Sequence, residues 1–187
     1  SVEQVMGEIR ECHRLGAKQV FIVDDNFIGN VKLAKALLRE MAAWGAAHGY
    51  PLDFNTEVSL NVAQDDELLA LLRAANVTTV FIGIESPRVD SLRETKKLQN
   101  ARGDLVESVR RVHDHGIQVQ AGMIVGFDHD DVSIFDEQLH FIQEACHETS
   151  EMLAQERGVV TNWDRSIFKP KGLQRRPATT TTIAPTG

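Results

Sequence analysis

One segment decides the fold class, and it runs Gln19-Val20-Phe21-Ile22-Val23-Asp24-Asp25-Asn26. Its apolar part is too short for a helix and rich in β-branched residues, which predicts a strand buried on both faces of a parallel sheet. Three polar residues end the strand, and apolar residues then recur at helical spacing from Leu33 to Trp44. A strand followed by an amphipathic helix is the repeating unit of α/β folds.

The same alternation extends from this segment in both directions. A helix precedes it, with Ser1 and Gln4 in capping-box register and Gly16 at its end. Three further strands are predicted at 52–58, 78–84 and 118–125, with helical patterns between them and after the last. The strand centres lie about 26 to 40 residues apart, which is the length of right-handed βαβ crossovers. The prediction is therefore an α/β fold of parallel βα units with about four strands.

Polar residues stand at or just beyond the carboxyl end of every predicted strand. Open α/β sheets concentrate their ligand contacts at one switch point, whereas barrels use the ends of all their strands, so part of a barrel is favoured. Four strands cannot close a barrel of about eight, and exposed sheet edges that allow self-association are expected. The polar residues are Asp24, Asp25, Asn26, Glu57, Ser59, Glu85, Ser86 and Asp128.

Composition and charge narrow the functional classes. The chain has 187 residues, of which 42% are hydrophobic and 25% charged, as in one globular domain. No apolar run approaches the roughly 20 residues of a membrane span, and a cytoplasmic protein is expected.

From residue 158 onward there are five basic residues and one acidic residue, against 15 basic and 26 acidic residues before it. The acidic body argues against nucleic-acid binding, and segment 158–187, rich in proline and threonine, is predicted to be a linker or disordered end.

Three groups of residues could carry chemistry, and each has a plainer structural interpretation. Asp24 and Asp25 could bind a divalent cation or a ligand amine, or one residue of 24–26 could cap the next helix. Glu85 and Ser86, placed at the rim by Pro87, could hold a ribose or an ammonium group, although Ser86 could equally cap a helix.

The third group is a strand end in which glycines alternate with apolar residues. Gly122, Ile124 and Gly126 suggest the close approach of a ligand such as a planar ring, and a β-bulge is the alternative. The following run, 128–131, has the residue types of a metal site, but consecutive residues rarely converge on one ion. Asp131 is instead well placed to cap the last helix.

Four motifs in order, at 20–30, 56–63, 81–87 and 121–128, resemble the interior of a radical S-adenosylmethionine (SAM) enzyme. The likeness is greatest to enzymes with a cobalamin-binding domain ahead of the barrel. It covers 1–146 and implies a partial barrel there, with 147–187 as a helix end and tail. It also implies a [4Fe–4S] cluster that cleaves SAM reductively to a 5′-deoxyadenosyl radical, with cobalamin as a possible cofactor of a longer protein.

The resemblance also implies which residues contact SAM. The residues after the first strand would receive its amino group, the glutamates and Ser86 would face its ribose and methionine parts, and Lys97 would hold its carboxylate. The glycine-rich strand end would lie against adenine. His129 stands where the family often has a glutamate, so a neighbouring aspartate is expected to take over helix capping. The implied contacts are Asp24, Asp25, Asn26, Glu57, Glu85, Ser86, Lys97, Gly122, Ile124 and Gly126.

The sequence departs from the family at the cluster. It has no C-x-x-x-C-x-x-C loop, and its two cysteines, Cys12 and Cys146, cannot replace one. The expectation is a fragment of a radical SAM oxidoreductase or methyltransferase that is inactive alone and acts on an unidentified small molecule. Two alternatives stay open: a divalent-metal enzyme that uses Asp24 and Asp25, and a non-catalytic interaction module.

Overall fold

The computed structural model describes residues 1–94 and 105–176. They fall in two compact units, Ser1–His129 and Asp130–Gly187. Helices and strands alternate along the first unit, and one long helix opens the second. The elements are α1 (Val2–Arg14), β1 (Gln19–Ile22), α2 (Val31–His48), β2 (Asp53–Glu57), α3 (Asp66–Ala74), β3 (Val77–Glu85), α4 (Val89–Glu94), α5 (Leu105–Asp114), β4 (Gln118–Met123) and α6 (Ile134–Arg157).

The four strands form one parallel sheet in the order β1-β2-β3-β4, which confirms the predicted α/β class. Phe21 of β1 is the register partner of Asn55, Glu57 of β2 that of Phe81, and Phe81 in turn that of Gln120. Sequential order and parallel pairing are what consecutive βα units produce. Within the described residues, no helix is both long and apolar enough to cross a membrane.

One face of the sheet belongs to the hydrophobic core. Alternate residues Val80, Ile82 and Ile84 of β3 are fully buried, and leucines of α2 and α3 are buried with them. Phe81, between them in sequence, points to the opposite face and is 37% exposed. The core therefore lies between the sheet and the helices, and the other face is open in the first unit.

β1 differs from its prediction as a strand buried on both faces. Its residues alternate between exposed and half-buried, with Phe21 among the exposed ones. Within the described residues β1 is an edge strand with one neighbour, and Val20 and Ile22 line a cavity of about 490 Å³ beside α1 and α2. An apolar run identifies a strand, but its burial depends on the elements that cover it.

The start of α1 agrees with the sequence, and the start of α2 does not. Ser1 Oγ accepts a hydrogen bond from Gln4 N (3.3 Å), as the capping register predicts. The cap of α2 is Asn30, whose Oδ1 accepts from Leu33 N (3.1 Å), so the prediction that one of residues 24–26 caps this helix is wrong. The chain turns over residues 25–30 before the helix begins, which separates the strand end from the cap.

The second unit is more ordered than the sequence indicates. Asp131 Oδ1 accepts from Ser133 N (2.9 Å), but Ser133 is the N-cap residue of α6, so the prediction that Asp131 caps this helix is wrong. After α6 the chain folds back: Arg175 pairs with Glu151, and Arg176 N donates to Ser150 O (3.0 Å). Residues 158–176 therefore differ from the linker predicted for them, and the remaining residues 177–187 lie outside the described part.

Candidate functional site

The carboxyl ends of all four strands meet at one edge of the sheet, named here the carboxyl edge. Backbone hydrogen bonds tie the chain at each strand end to its neighbour: Phe27 N to Glu57 O (2.9 Å), Val58 N to Phe81 O (2.9 Å) and Ile124 N to Glu85 O (2.8 Å). These bonds continue the sheet pairing into the loops. The edge comprises Asp24, Asp25, Asn26, Glu57, Ser59, Glu85, Ser86, Ile124, Val125 and Gly126.

Asn26 joins the first two strand ends. Its Oδ1 accepts hydrogen bonds from Ser59 N and Ser59 Oγ, both at 3.2 Å, and its own N–H donates to Asp24 Oδ1 (2.9 Å). Asp24 and Asn26 therefore shape the turn, and Asp25 presents an exposed carboxylate beside them. Of the three residues predicted to contact a ligand here, Asp25 has the side chain best placed to do so.

Glu85 ends β3 in an unusual backbone conformation. Its φ is +70°, a region that costs non-glycine residues about 1 kcal/mol or more. The pairing of β3 with β4 shifts between Gly83 and Glu85, so β3 carries one extra residue, as in a β-bulge that re-aims a side chain. Glu85 is thus turned out of the regular strand pattern at the carboxyl edge, and its side chain is half-buried.

Ser86 has a structural role in the same turn. It is fully buried, its N–H donates to Ile84 O (2.9 Å), and its Oγ accepts from Arg88 N (3.1 Å). This bond stabilises the turn that leads into α4, close to the capping role that the sequence also allowed. The structure therefore places Ser86 beneath the carboxyl edge rather than on its surface.

The two glycines at the carboxyl end of β4 have different surroundings. A Cβ on Gly122 would lie 2.7 Å from Phe81 Cζ, so this glycine makes room for an aromatic ring of the neighbouring strand. The pairing of β3 with β4 shifts just after the Gly83–Gly122 pair, so a β-bulge also lies beside this glycine, with its extra residue in β3. Gly126 has φ +99°, and Ile124 and Val125 before it are exposed apolar residues. Ile124 and Val125 are thus available to an apolar ligand group.

One residue of the site was not found from the sequence. Glu94, at the end of α4, accepts hydrogen bonds from Asp128 N and His129 N, both at 3.0 Å, and from His129 Nδ1. The bond to His129 lowers the pKa of Glu94, and the bond to Glu94 raises the pKa of His129. The available signal was His129 itself, whose place in the motif usually holds a glutamate.

The predictions for Glu57 and Lys97 have different outcomes. Glu57 is half-buried at the end of β2, and its backbone carbonyl accepts from Phe27 N. Its register partner Phe81 carries the ring that covers Gly122, so Glu57 borders the open face of the sheet. Lys97 lies outside the described residues, and its role in holding a carboxylate stays a prediction.

Metal and cluster chemistry can be tested against the donors present. In the described part of the chain, no three His, Cys, Asp or Glu side chains are grouped to hold a metal ion. A [4Fe–4S] cluster needs three or four cysteine thiolates, and this chain has two cysteines, one on α1 and one on α6. Burial also raises the pKa of the Cys146 thiol, which disfavours the thiolate. These residues do not fit the cluster.

Comparisons with known proteins agree on one family. Residues 1–142 match the family model described as the radical SAM superfamily. An uncharacterised methyltransferase of Synechocystis sp. is 40% identical over 148 residues, which are 79% of this chain and 28% of that protein. The hopanoid C-2 methylase of Rhodopseudomonas palustris is 35% identical over 144 residues, 76% of this chain and 27% of the methylase. The chain thus spans less than a third of either relative.

Solved structures show the same fold. The radical SAM methyltransferase TsrM of Kitasatospora setae, with cobalamin and a [4Fe–4S] cluster bound, superposes with a TM-score of 0.66 at 19% identity, over 78% of this chain and 29% of TsrM. The cobalamin-dependent SAM radical enzyme OxsB, with aqua-cobalamin and SAM bound, gives a TM-score of 0.60 at 19% identity, over 76% of this chain and 22% of OxsB. At this identity the match establishes the fold of the barrel portion.

Proposed function

This chain belongs to the radical SAM superfamily and is similar to its methyltransferases, and on that premise we propose that its carboxyl edge binds SAM within a radical SAM methyltransferase. The supporting observation is the composition of that edge. Exposed or half-buried carboxylates at the ends of three strands stand beside the exposed apolar residues that follow the fourth.

The donors and surfaces of the edge suit the parts of SAM. Its ammonium group and ribose hydroxyls require acceptors, which Asp25, Glu57 and Glu85 provide. Its adenine requires an apolar surface, and Ile124 and Val125 offer one. The carboxylates also counter the positive sulfonium and ammonium charges, which favours SAM over an anionic nucleotide.

The proposed role of these residues is limited to binding and orienting SAM. A reduced [4Fe–4S] cluster supplies the electron for SAM cleavage in radical SAM enzymes, and the two cysteines of this chain do not provide its ligands. We therefore propose that the isolated chain binds SAM without cleaving it. Cobalamin is proposed as a further cofactor of the whole enzyme, because TsrM and OxsB were both solved with it. The methylated substrate is left open.

Saturation-transfer NMR with SAM tests the proposal, because it detects weak binding to the intact chain. We expect a dissociation constant in the millimolar range or tighter. Glu85→Gln and Asp25→Asn should each weaken it about tenfold, the effect of losing one hydrogen bond to a charged group. Glu107→Gln on α5 is the matched control, since it removes a carboxylate that pairs with Arg110 instead. Absence of binding in a folded sample, or equal effects of all three variants, would contradict the proposal.

A further inference from the structure

The loop after β4 is held by one carboxylate that lies far from it in sequence. Glu94 lies at the end of α4, and its two oxygens accept from Asp128 N and His129 N (3.0 Å each) and from His129 Nδ1. This set of three hydrogen bonds is named the Glu94 clamp. On the same loop, Arg88 Nη1 lies 3.5 Å from His129 O. Glu94 of α4 and Arg88, which lies just before α4, thus both contact the same end of the loop.

The loop after β4 is exposed, and its first residue is tied to β3 by the hydrogen bond from Ile124 N to Glu85 O (2.8 Å). Ile124, Val125, Gly126 and Asp128 are all exposed, and Gly126 adopts φ +99° with no atom near its Cβ position. Glycine gives the backbone many conformations to lose, so ordering this loop carries an entropic cost. Successive N–H groups that converge on one carboxylate make a strong, charge-assisted contact.

We propose that Glu94 is a positioning residue for the cofactor site: by clamping Asp128 and His129 it fixes the apolar segment Ile124–Gly126 at the carboxyl edge. The part concerning SAM rests on the proposed function, whereas the ordering of the loop does not. The expectation that an aspartate caps the next helix is a separate matter, because Glu94 holds loop residues and not the start of α6.

The clamp also makes the loop sensitive to pH. His129 faces Glu94 and Asp90 of α4 and Asp128 of its own loop, all acidic, with the Arg88 guanidinium near its carbonyl. The raised pKa of His129 means that its favourable contribution is complete below about 6.5 and is lost as pH rises through the folded value. The lowered pKa of Glu94 keeps the carboxylate ionised above its ordinary 4.5. The clamp is therefore strongest in mildly acidic solution.

Amide hydrogen exchange of the full chain without ligand tests the clamp itself. Glu94→Gln removes the charge and half of the acceptor capacity, and we expect exchange at Asp128 and His129 to become about tenfold faster. Glu11→Gln, which makes the same change on α1 at a carboxylate paired with Arg14, is the control and should leave these amides unchanged. Unchanged exchange in Glu94→Gln would overturn the proposal whatever the SAM affinity.

The dissociation constant of SAM, measured as a function of pH, tests whether Glu94 positions the cofactor site. In the wild type, affinity should fall as pH rises past the His129 transition, and Glu94→Gln should be several-fold weaker with a flat profile. His129→Asn, which can still donate to Glu94 but does not titrate, should retain affinity and lose the pH dependence. If Glu94→Gln loosens the loop but the wild type and variant bind SAM equally, the positioning role is wrong. If the wild type binds no SAM, the proposed function fails, and the exchange data still decide the clamp.

Discussion

At the scale of single residues, Gly122 is required by the ring of Phe81 on the neighbouring strand. We expect Gly122→Ala to destabilise the protein by about 1 kcal/mol, because the new Cβ would lie 2.7 Å from Phe81 Cζ and force the ring to move. Urea unfolding measures the change in free energy. In a Phe81→Ala background the same substitution should cost nothing, and strict additivity of the two changes would show that the ring is not the cause.

Asn26 carries a second prediction at this scale. Asn26→Ala removes the acceptor of Ser59 N, whereas Ser59 Oγ keeps Asn61 Oδ1 as its acceptor, and we expect a loss of about 1 kcal/mol of unfolding free energy. Asp25→Ala, one residue away and exposed, is the control and should stay within about 0.5 kcal/mol of the wild type. Equal losses in both variants would mean that the link between strand ends is not what stabilises the turn.

Residue patterns predicted the position of the carboxyl edge. They did not predict which of its residues are structural and which are exposed. Alternation along β3 places Phe81 on the opposite face of the sheet from Val80 and Ile82. Only the structure shows that its ring occupies the space next to Gly122. Ser86 is a polar residue at a strand end, and its burial could not be deduced from that position. Glu94 meets His129 across 35 residues, and no local pattern reports such a pair.

At the scale of helices, two glycines in similar settings should respond oppositely to the same change. Gly7 lies inside α1 with no atom within 4 Å of a built Cβ, so Gly7→Ala should stabilise the chain by about 0.5 to 1 kcal/mol through helix propensity. Gly45 lies inside α2, where a Cβ would come within 2.9 Å of Tyr50 Cδ1. Gly45→Ala should therefore destabilise. Thermal unfolding of the two variants compares them, and a gain in both would exclude a steric role for Tyr50.

An ion-pair group links α2 to the start of α3 and predicts acid sensitivity. Lys35 Nζ lies 2.7 Å from Asp65 Oδ2 and 2.8 Å from Glu67 Oε2, and these bonds lower the pKa of both carboxyl groups. A lowered pKa gives stability that is present above the ordinary value and lost as pH falls through the folded one. We expect the unfolding temperature of the wild type to fall as the pH is lowered below about 4.5. In Lys35→Met the unfolding temperature should fall less steeply with pH. An unchanged slope in that variant would assign the acid transition to other groups.

Strands and helices were predictable because hydrophobic periodicity is a local property. The burial of β1 was not, since it depends on which elements flank the strand. The end of α2 shows the same limit: Gly49, with φ +71°, is the terminating residue, whereas Gly45 lies inside the helix. Both glycines fit a helix end by type, and only backbone conformation distinguishes them.

At the scale of the whole molecule, the open edge of the sheet leads us to predict self-association. Within the described residues β1 pairs with β2 alone, and Val23 just beyond it is 84% exposed. Unpaired strand edges promote pairing with another chain, and a lysine there is the usual protection against it. We expect concentration-dependent self-association of the isolated chain in sedimentation velocity, weakened by Val23→Lys. Val132, 83% exposed and outside the sheet, provides the matched control, because Val132→Lys changes the net charge equally. If both lysines weaken association to the same extent, the effect is one of net charge, and β1 is not the contact.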